Sequence, residues 1–380
     1  MLTAKDYADW QEFYNRSELG IVPSVNNPTS GRDKKETHVT HQVCVTGATG
    51  YLAGHLIQQL LEQGHRVNGT VRSLSKSPKL AALYELADRY PGQLELFQAD
   101  LLTAGSFRSA IRGCSHVFHT ASPFQLNVAH PQRDLVEPAV KGVEHVLSDA
   151  AEVAGVERVI LTSSVAAMYG DVIECSDGPI DEHRWNTTSS LTHQPYQYSK
   201  TLAERRAWEL AEQADYQLVV VNPSLVLGPA IGQIPTSESF NLLRRLGSGE
   251  LKTGSPPLGL GVVDVRDVAQ AHMACAFSDN AQGRYLCSGE DTDFLSLAQR
   301  LKKHFPTYPL PKGKVPKWLI WLVGKTVDPS FTRYWVSRNL GHDFVSRSDK
   351  IQTELGVQFR PIEPGLVEMF QQLIDQGIFE

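Results

Sequence analysis

The chain has 380 residues, of which 41% are hydrophobic and 21% charged. This is the composition of an ordinary globular protein with two or three domains or one large α/β unit, and it excludes a disordered chain and a collagen-like fibre. The formal net charge is −6, so the protein lacks the basic surface of a nucleic-acid-binding protein, and we expect any anion site to be local.

The five cysteines are far apart and form no Cys-x-x-Cys pair, so we expect free thiols in a reducing compartment rather than disulfides. The histidines and cysteines show no ligand-like cluster, which predicts that no metal is bound. No apolar run reaches the ~18–20 residues of a membrane span, and the acidic N-terminus does not read as a signal peptide. We therefore predict a cytoplasmic protein without a membrane partner.

Residues 1–40 are predicted to be an arm or linker outside the main fold. Tyr7, Trp10 and Tyr14 lie along one side of a short predicted helix at 4–16. The stretch that follows is rich in Pro, Asn, Ser, Thr and Gly, which is typical of a linker or surface arm.

From residue 42 onward, short apolar strands alternate with helices, which predicts a parallel sheet covered by helices on both faces. The first strand, 43–45, ends at a glycine turn, and the helix after it places its leucines on one face and ends at Gly64. The other predicted strands are 66–71, 94–98, 116–120, 159–161 and 218–221, and the helices between them are 80–90, 104–112, 133–154 and 196–213.

After residue 224 the alternation weakens, and glycine and proline cluster at 228–235 and 253–261. Residues 261–265 are predicted to return to the sheet, and residues 284–287 to form another short strand. We expect the rest of the C-terminal third to be mainly helix and loop and to form the substrate side.

Gly47, Gly50 and Ala53 follow the first strand and open the helix after it. In the dinucleotide-binding fold, one glycine permits the tight turn, another lets the backbone approach the pyrophosphate, and a small residue lets helix and strand pack closely. The helix N-terminus then faces the phosphates with its free N–H groups. The position of this turn at the first strand–helix junction favours a nucleotide site over a merely structural turn.

The end of the second predicted strand indicates which nicotinamide cofactor binds. An NAD-specific site usually places an acid there, whereas this strand ends at Arg72, with Lys76 and Lys79 beyond it. A guanidinium can hold a 2′-phosphate through two hydrogen bonds, so we expect NADP(H) rather than a merely solvated basic loop. Asp100, after the third strand, is expected either to accept a hydrogen bond from the adenine amine or to cap the helix near residue 104.

Tyr196 and Lys200 lie four residues apart on a predicted helix and therefore share one face. We expect the Lys200 ammonium to lower the pKa of the phenol from ~10. Tyr196 could then pass a proton to a carbonyl oxygen as hydride reaches the carbonyl carbon. Ser163 and Ser164 follow the fifth strand, where such sheets bind ligands, and each could bind that oxygen or simply cap a turn.

Together these segments resemble the extended short-chain dehydrogenase/reductases, in the branch of the dihydroflavonol and cinnamoyl-CoA reductases. The resemblance runs from residue 43 through most of the remaining chain, and its motifs include TGATGYLAGHL (46–56), GTVR (69–72), TSSVAA (162–167), YQYSKTLAERRAW (196–208) and NPSLVLGP (222–229). It implies an α/β fold: a Rossmann-type, doubly wound parallel sheet with a smaller, mostly helical C-terminal substrate domain. We place the NADP-binding domain at 41–227 plus about 261–290, and the substrate-binding region at 228–260 plus 291–380.

The resemblance also implies roles for single residues. Ser164, Tyr196 and Lys200 match the catalytic trio, and Ser164 is preferred over Ser163 because it lies next to the hydrophobic stretch. Tyr196 and Lys200 also match cofactor contacts. The other matches to cofactor contacts are Gly47, Thr49, Gly50, Tyr51 and Leu52 at the phosphates, Arg72 and Lys76 at the 2′-phosphate, Asp100 and Leu101 at the adenine, Thr120, Ala121 and Ser122 along the ribose and nicotinamide, and Pro223 and Val226 beside the nicotinamide.

We therefore expect an NADPH-dependent carbonyl reductase whose partner is a small or aromatic ketone or aldehyde. The resemblance also suggests a homodimer through 133–154 and 196–213.

Two features depart from the branch. The stretch HQPYQYSK (193–200) replaces the Asn-Trp-Tyr-Cys-Tyr-Gly-Lys of cinnamoyl-CoA reductases, which argues against a CoA thioester. Tyr169 stands where we align the asparagine of flavonoid reductases, which argues against a flavonoid.

Two other classes of function stay open. An epimerase or dehydratase of nucleotide sugars, or a hydroxysteroid-type dehydrogenase, uses the same trio on the same fold. A non-catalytic NADP-binding scaffold or sensor would not need the trio. The substrate pocket is expected to involve the loop after Pro229 and residues 291–345, although the aromatic residues there have a spacing more typical of core: Trp318, Trp321, Tyr334 and Trp335.

Overall fold

Seven parallel strands form the main sheet of the computed structural model: β1 (Gln42–Val45), β2 (Arg66–Val71), β3 (Leu94–Gln98), β4 (His116–His119), β5 (Arg158–Thr162), β6 (Gln217–Pro223) and β9 (Gly283–Cys287). Their spatial order is β3-β2-β1-β4-β5-β6-β9. The order reverses between β1 and β4, and ligands of such sheets bind beside that point, at the carboxyl ends of the strands. The predicted doubly wound sheet is confirmed.

The structure describes residues 39–75, 77–122, 128–327 and 329–379. The predicted helix at 4–16, nearly all of the predicted arm at 1–40 and the predicted contact Lys76 lie outside these ranges. The helices are α1 (Tyr51–Glu62), α2 (Ala81–Arg89), α3 (Arg108–Ile111), α4 (Glu137–Glu152), α5 (Pro195–Ala211), α6 (Glu238–Gly247), α7 (Val265–Phe277), α8 (Phe294–His304), α9 (Lys317–Val327), α10 (Arg333–Asn339), α11 (Asp349–Leu355) and α12 (Ile362–Asp375).

The main sheet is buried on both faces because alternate side chains of its apolar strands point in opposite directions. Val43 and Val45 of β1 pack into the core cluster that includes α1 and α7, whereas Cys44 packs into the cluster that includes α4. A third cluster joins α6, α8 and α12 in the C-terminal part of the chain. The sheet thus lies between two layers of helices, which fixes the positions of the carboxyl ends of its strands.

A second, smaller sheet consists of three strands: β7 (Leu225–Leu227), β8 (Gly259–Asp264) and β10 (Glu290–Asp293). The middle strand β8 is parallel to β7 and antiparallel to β10. The prediction that residues 261–265 return to the main sheet is therefore wrong. The place beside β6 is taken by β9, which pairs with it from Val219↔Gly283 to Pro223↔Cys287.

Two predicted helices differ from the observed ones. Residues 103–107 form turns, and only the four residues of α3 are helical within the predicted helix 104–112. The predicted helix 133–154 begins with a π-helical turn at Gln132–Val136 before α4 takes over. Pro138 explains the break, because proline lacks an N–H and fits only the first turn of an α-helix.

The spacing of the aromatic residues of α9 and α10 had indicated core positions, but most of these side chains are exposed. Trp318 is 68% exposed, Trp321 42% and Tyr334 55%. The inward face of α9 consists instead of Ile320 and Gly324. Trp335 alone is partly covered, because it stacks on Phe331 with ring centroids 5.1 Å apart.

All five cysteines are free thiols, as predicted, and every one except Cys175 is buried. Within the described ranges, no helix combines the length and the apolar character that crossing a membrane requires. In the same ranges, no group of three or more His, Cys, Asp or Glu side chains is arranged to hold a metal ion.

Buried histidines should make the stability of the protein fall in mild acid. Burial lowers the pKa of His272 to about 4, and this imidazole is hydrogen-bonded to Thr162 and to the carbonyl of Val268. Because the unfolded chain takes up a proton near pH 6.5 and the folded chain does not, the free energy of unfolding decreases as the pH falls below ~6.5. His116 and His119 are shifted in the same direction by burial.

We expect His272→Gln, which cannot titrate, to lose about 1 kcal/mol less stability than the wild type between about pH 7.5 and 5.5. Urea unfolding at the two pH values measures this difference. Equal losses in the two proteins would show that His272 is not the titrating group.

Candidate active site at the carboxyl edge of the sheet

The turn after β1 forms a cradle that admits only glycine at its first position. Gly47 has a φ of 68°, and a Cβ placed there would lie 2.9 Å from the Cβ of Ala121. Helix α1 then begins behind Gly50 with no side-chain cap and no acidic residue in its first turn. The Gly50 N–H closes the turn by donating to the carbonyl oxygen of Gly47 at 2.8 Å. The N–H groups in the first turn of α1, beside the exposed residues Thr49 and Gly50, have no acceptor within the helix and suit an anion such as a pyrophosphate.

Tyr51 and Leu52, both predicted cofactor contacts, have packing roles through their side chains. The Tyr51 hydroxyl donates a hydrogen bond of 2.5 Å to the carbonyl oxygen of Gly228, and burial raises the pKa of this phenol above its usual value. Leu52 packs against the core cluster around α1. In the first turn of α1, the backbone N–H groups of these two residues, rather than their side chains, are therefore available to bind a phosphate.

The side chain expected at the 2′-phosphate lies at the surface. Arg72 directly follows β2 and is exposed, as is Lys79. No acid follows this strand before residue 85. The chain therefore carries a cation, and no acidic residue directly after β2, at the place where the two nicotinamide cofactors differ.

Asp100 and Leu101 occupy the turn after β3. The Asp100 carboxylate accepts a hydrogen bond of 2.8 Å from the N–H of Leu102, so it stabilises a local turn rather than a helix start at 104. Its side chain is exposed and keeps a second oxygen for another donor. Leu101 packs against Gly142 of α4.

The end of β4 is tied to the end of β1 and brings Lys200 into place. The Thr120 hydroxyl donates to the carbonyl oxygen of Thr46 at 2.5 Å, and the N–H of Ala121 donates to the Thr46 hydroxyl at 3.1 Å. Ser122 accepts a hydrogen bond of 3.0 Å from the Lys200 ammonium. These contacts hold residues 120–122 along the path expected for the ribose and nicotinamide.

Ser164, Tyr196 and Lys200 lie close together at this edge. Ser164 caps the short turn Val165–Ala167, and its hydroxyl hydrogen-bonds the Tyr196 phenol. The Lys200 Nζ lies 5.9 Å from the centroid of the Tyr196 ring. Ser163 is buried instead and donates its hydroxyl to the Glu204 carboxylate, which supports the choice of Ser164 over Ser163.

The protonation states differ from the expected ones. Burial raises the pKa of Tyr196 to about 12, although the hydrogen bond from Ser164 acts in the opposite direction. Burial lowers the pKa of Lys200 to about 8, opposed by the nearby Glu204 carboxylate. The pKa of Tyr196 is therefore raised by burial rather than lowered by Lys200 as expected, and the Lys200 ammonium donates to Ser122 instead. A phenol protonated at neutral pH is the form that can donate a proton.

The two residues expected beside the nicotinamide lie on strands rather than in a loop. Pro223 is the last residue of β6, and Val226 lies in the middle of β7. The two therefore belong to different sheets, and Ser224 alone separates the two strands.

A buried ion pair beneath the trio is missing from the sequence-based prediction. Glu204 of α5 pairs with Arg284 of β9 at 2.6 Å and accepts a hydrogen bond of 2.7 Å from Asn222 of β6. The spacing Lys200-x-x-x-Glu204 places both on one helix face, which is a signal in the sequence. The partner Arg284 lies 80 residues away and has no such signal.

The doubly wound sheet, the glycine turn and the converging Ser, Tyr and Lys define a Rossmann-fold protein of the short-chain dehydrogenase/reductase class. The chain belongs to the NAD dependent epimerase/dehydratase family, whose sequence profile matches residues 43–286.

Individual relatives are reductases. The chain is 36% identical over 337 residues to cinnamoyl-CoA reductase 1 of Petunia hybrida, covering 88% of this chain and 92% of that protein. It is 35% identical over 279 residues to a (2S)-flavan-3-ol-forming anthocyanidin reductase of Vitis vinifera, covering 70% and 82%. A solved structure of the yeast methylglyoxal/isovaleraldehyde reductase Gre2, complexed with NADPH, is similar with a TM-score of 0.72 and 26% identity, covering 89% of this chain and 99% of that one.

Proposed function

We propose that the protein is an NADPH-dependent reductase of small or aromatic ketones and aldehydes. The observation that carries this proposal is the meeting of the Ser164 hydroxyl, the Tyr196 phenol and the Lys200 ammonium beside the glycine turn. The relatives that are named as reductases support the same chemistry. The substrate carbonyl is expected to bind with its oxygen between the hydroxyls of Ser164 and Tyr196.

Each member of the trio has a distinct task in this proposal. NADPH supplies the hydride when bound. Ser164 and Tyr196 donate hydrogen bonds to the carbonyl oxygen and so stabilise the negative charge that develops on it. Tyr196 then transfers its proton to that oxygen, which yields the alcohol. Lys200 supplies a positive charge beside the phenolate that forms and a donor for the nicotinamide ribose.

The residues at the proposed cofactor site fit NADP(H). The cradle at Gly47 has no room for a side chain, and the open N-terminus of α1 suits a pyrophosphate. We propose that Arg72 binds the 2′-phosphate and Asp100 the adenine amine.

We expect Arg72→Ala to raise the KM for NADPH about 10- to 100-fold, because a hydrogen bond to a charged group contributes about 1.5–3 kcal/mol. The KM for NADH should stay unchanged. Steady-state kinetics with both cofactors measure this, with Lys79→Ala, at another exposed basic residue after β2, as the control. Equal effects of Arg72→Ala on NADPH and NADH would refute the role of Arg72.

We propose an aldehyde or ketone rather than a CoA thioester as the substrate. The stretch 193–200 differs from that of cinnamoyl-CoA reductases directly before the proposed proton donor. A panel of aldehydes, diketones, flavanonols and acyl-CoA thioesters, followed by NADPH oxidation, tests this choice. Turnover confined to the thioesters would show that the choice is wrong.

The description of the matching family favours one alternative, an epimerase or dehydratase that keeps NAD bound. The absence of an acid directly after β2, where Arg72 stands, argues against it. Release of NAD on denaturing the purified protein, together with no NADPH oxidation on the panel, would support the alternative.

A further inference from the structure

The carboxylate of Asp171 gathers donors from two distant parts of the chain. It is 0% exposed and accepts hydrogen bonds from His193 Nε2 at 2.9 Å, Arg338 Nε at 2.5 Å and Asn339 Nδ2 at 2.6 Å. His193 lies just ahead of α5, whereas Arg338 and Asn339 end α10. One buried charge thus fastens α10 to the segment that begins the helix of Tyr196.

The residue between His193 and that helix has an unfavourable backbone conformation. Gln194 has a φ of 57°, the one positive φ of a non-glycine residue in the described part of the chain, and such a conformation persists only where neighbours hold it. Its side-chain amide donates to the carbonyl oxygen of Gly170 at 2.8 Å and accepts from Gln197 at 2.8 Å. Gly170 is the direct neighbour of Asp171, so the same loop holds both Gln194 and His193.

The start of α5 determines where the phenol points. Gln194 is the residue that caps α5, and Tyr196 is the second residue of the helix after Pro195. The carbonyl oxygen of Gln194 accepts the hydrogen bond from the N–H of Tyr198, which closes the first turn around Tyr196. A change in the conformation of Gln194 would therefore rotate this turn and move the phenol away from Ser164.

We propose that Asp171 is a positioning residue for Tyr196, acting through His193 and Gln194, and that it does so only while α10 is docked through Arg338 and Asn339. The inference rests on the proposed reductase function. It gives a role to the residues His193 and Gln194, which replace the cinnamoyl-CoA reductase pattern ahead of the tyrosine. If Asp171 had a purely structural role, its contacts would stabilise the fold without affecting the orientation of Tyr196.

The test compares Arg338→Gln, which removes the charged donor to Asp171, with Arg347→Gln, the same change at an exposed arginine whose acidic neighbour, Asp349, lies 3.8 Å away. Asp171→Asn is the stronger variant, and Arg338→Gln keeps the test usable where Asp171→Asn fails to fold. The measurements are kcat, the solvent deuterium isotope effect on kcat, the Kd for NADPH from its fluorescence, and hydrogen exchange of peptides covering 193–200.

We expect Arg338→Gln to lower kcat about 10- to 100-fold, as a misplaced reacting group does, with the Kd for NADPH within about two-fold of the wild type. The solvent isotope effect should rise because proton donation by Tyr196 becomes slower, and 193–200 should exchange faster than in Arg347→Gln. An unchanged isotope effect, with kcat lowered only in proportion to the folded fraction, would overturn the positioning role.

Failure of the reductase proposal can be distinguished from failure of the positioning role. A wild-type protein that reduces no carbonyl refutes the reductase proposal, while the exchange measurement still tests the link from Arg338 to the start of α5. Unchanged exchange at 193–200 in Arg338→Gln would refute that link whatever the activity of the wild type.

Discussion

Replacing Tyr196 by phenylalanine should lower kcat for carbonyl reduction by about 10²- to 10⁴-fold, the usual contribution of a positioned general acid. The change removes only the hydroxyl, which hydrogen-bonds Ser164. Because the pKa of this phenol is raised to about 12, the native group is protonated at neutral pH and ready to donate. The Kd for NADPH should change little, because the ring remains in place.

Tyr198→Phe is the matched control for this substitution. Tyr198 lies two residues further along α5, and its partner at the i+4 position is Leu202 rather than a lysine. The control should keep near-normal kcat. Steady-state kinetics on an accepted carbonyl substrate distinguish the two, and near-normal turnover by Tyr196→Phe would refute the mechanism.

The second large effect is on stability: Glu204→Ala should lower the free energy of unfolding by about 3–5 kcal/mol. The side chains of Glu204 and Arg284 are 0% and 7% exposed, so removal of the carboxylate leaves a buried cation without its counter-charge. Arg284 is also held over the ring of Trp185, 4.0 Å from its centroid, and donates to the carbonyl oxygens of Glu182 and Arg184.

Urea unfolding of three variants distinguishes the loss of the buried ion pair from the loss of a single carboxylate. Glu209→Ala, on the same helix, removes a carboxylate that is 63% exposed and paired with Arg206, and should cost less than about 1 kcal/mol. The double variant Glu204→Leu with Arg284→Met should recover much of the loss, because no buried charge remains. A cost for Glu204→Ala no greater than that for Glu209→Ala would contradict the buried-pair account.

The features that could be predicted from the sequence depend on residues close together in the chain. The glycine turn at 47–50 adjoins its strand and its helix, and Tyr196 and Lys200 share a face of α5 through simple helical geometry. The strands of the main sheet were predictable because their apolar runs are short and regularly separated by helices.

Contacts between distant segments could not be predicted in this way. Strand β8 has the apolar character of a main-sheet strand, and only the pairing of β9 with β6 excludes it from that sheet. Arg284 and Arg338 carry no local sign that they meet Glu204 and Asp171. The raised pKa of Tyr196 follows from burial, which depends on the packing of the whole site.

Hydride transfer from NADPH to a carbonyl carbon is the step that defines the proposed reductase, and transfer of an isotope label reports on it. The protein is incubated with an accepted aldehyde or ketone and NADPH that carries deuterium at the position of the transferred hydride. We expect one deuterium on the carbinol carbon of the product for each NADP⁺ formed, and with Tyr196→Phe only as much deuterium as its residual turnover supplies. NADPH that binds tightly but transfers no deuterium to any carbonyl of the panel would contradict the reductase proposal.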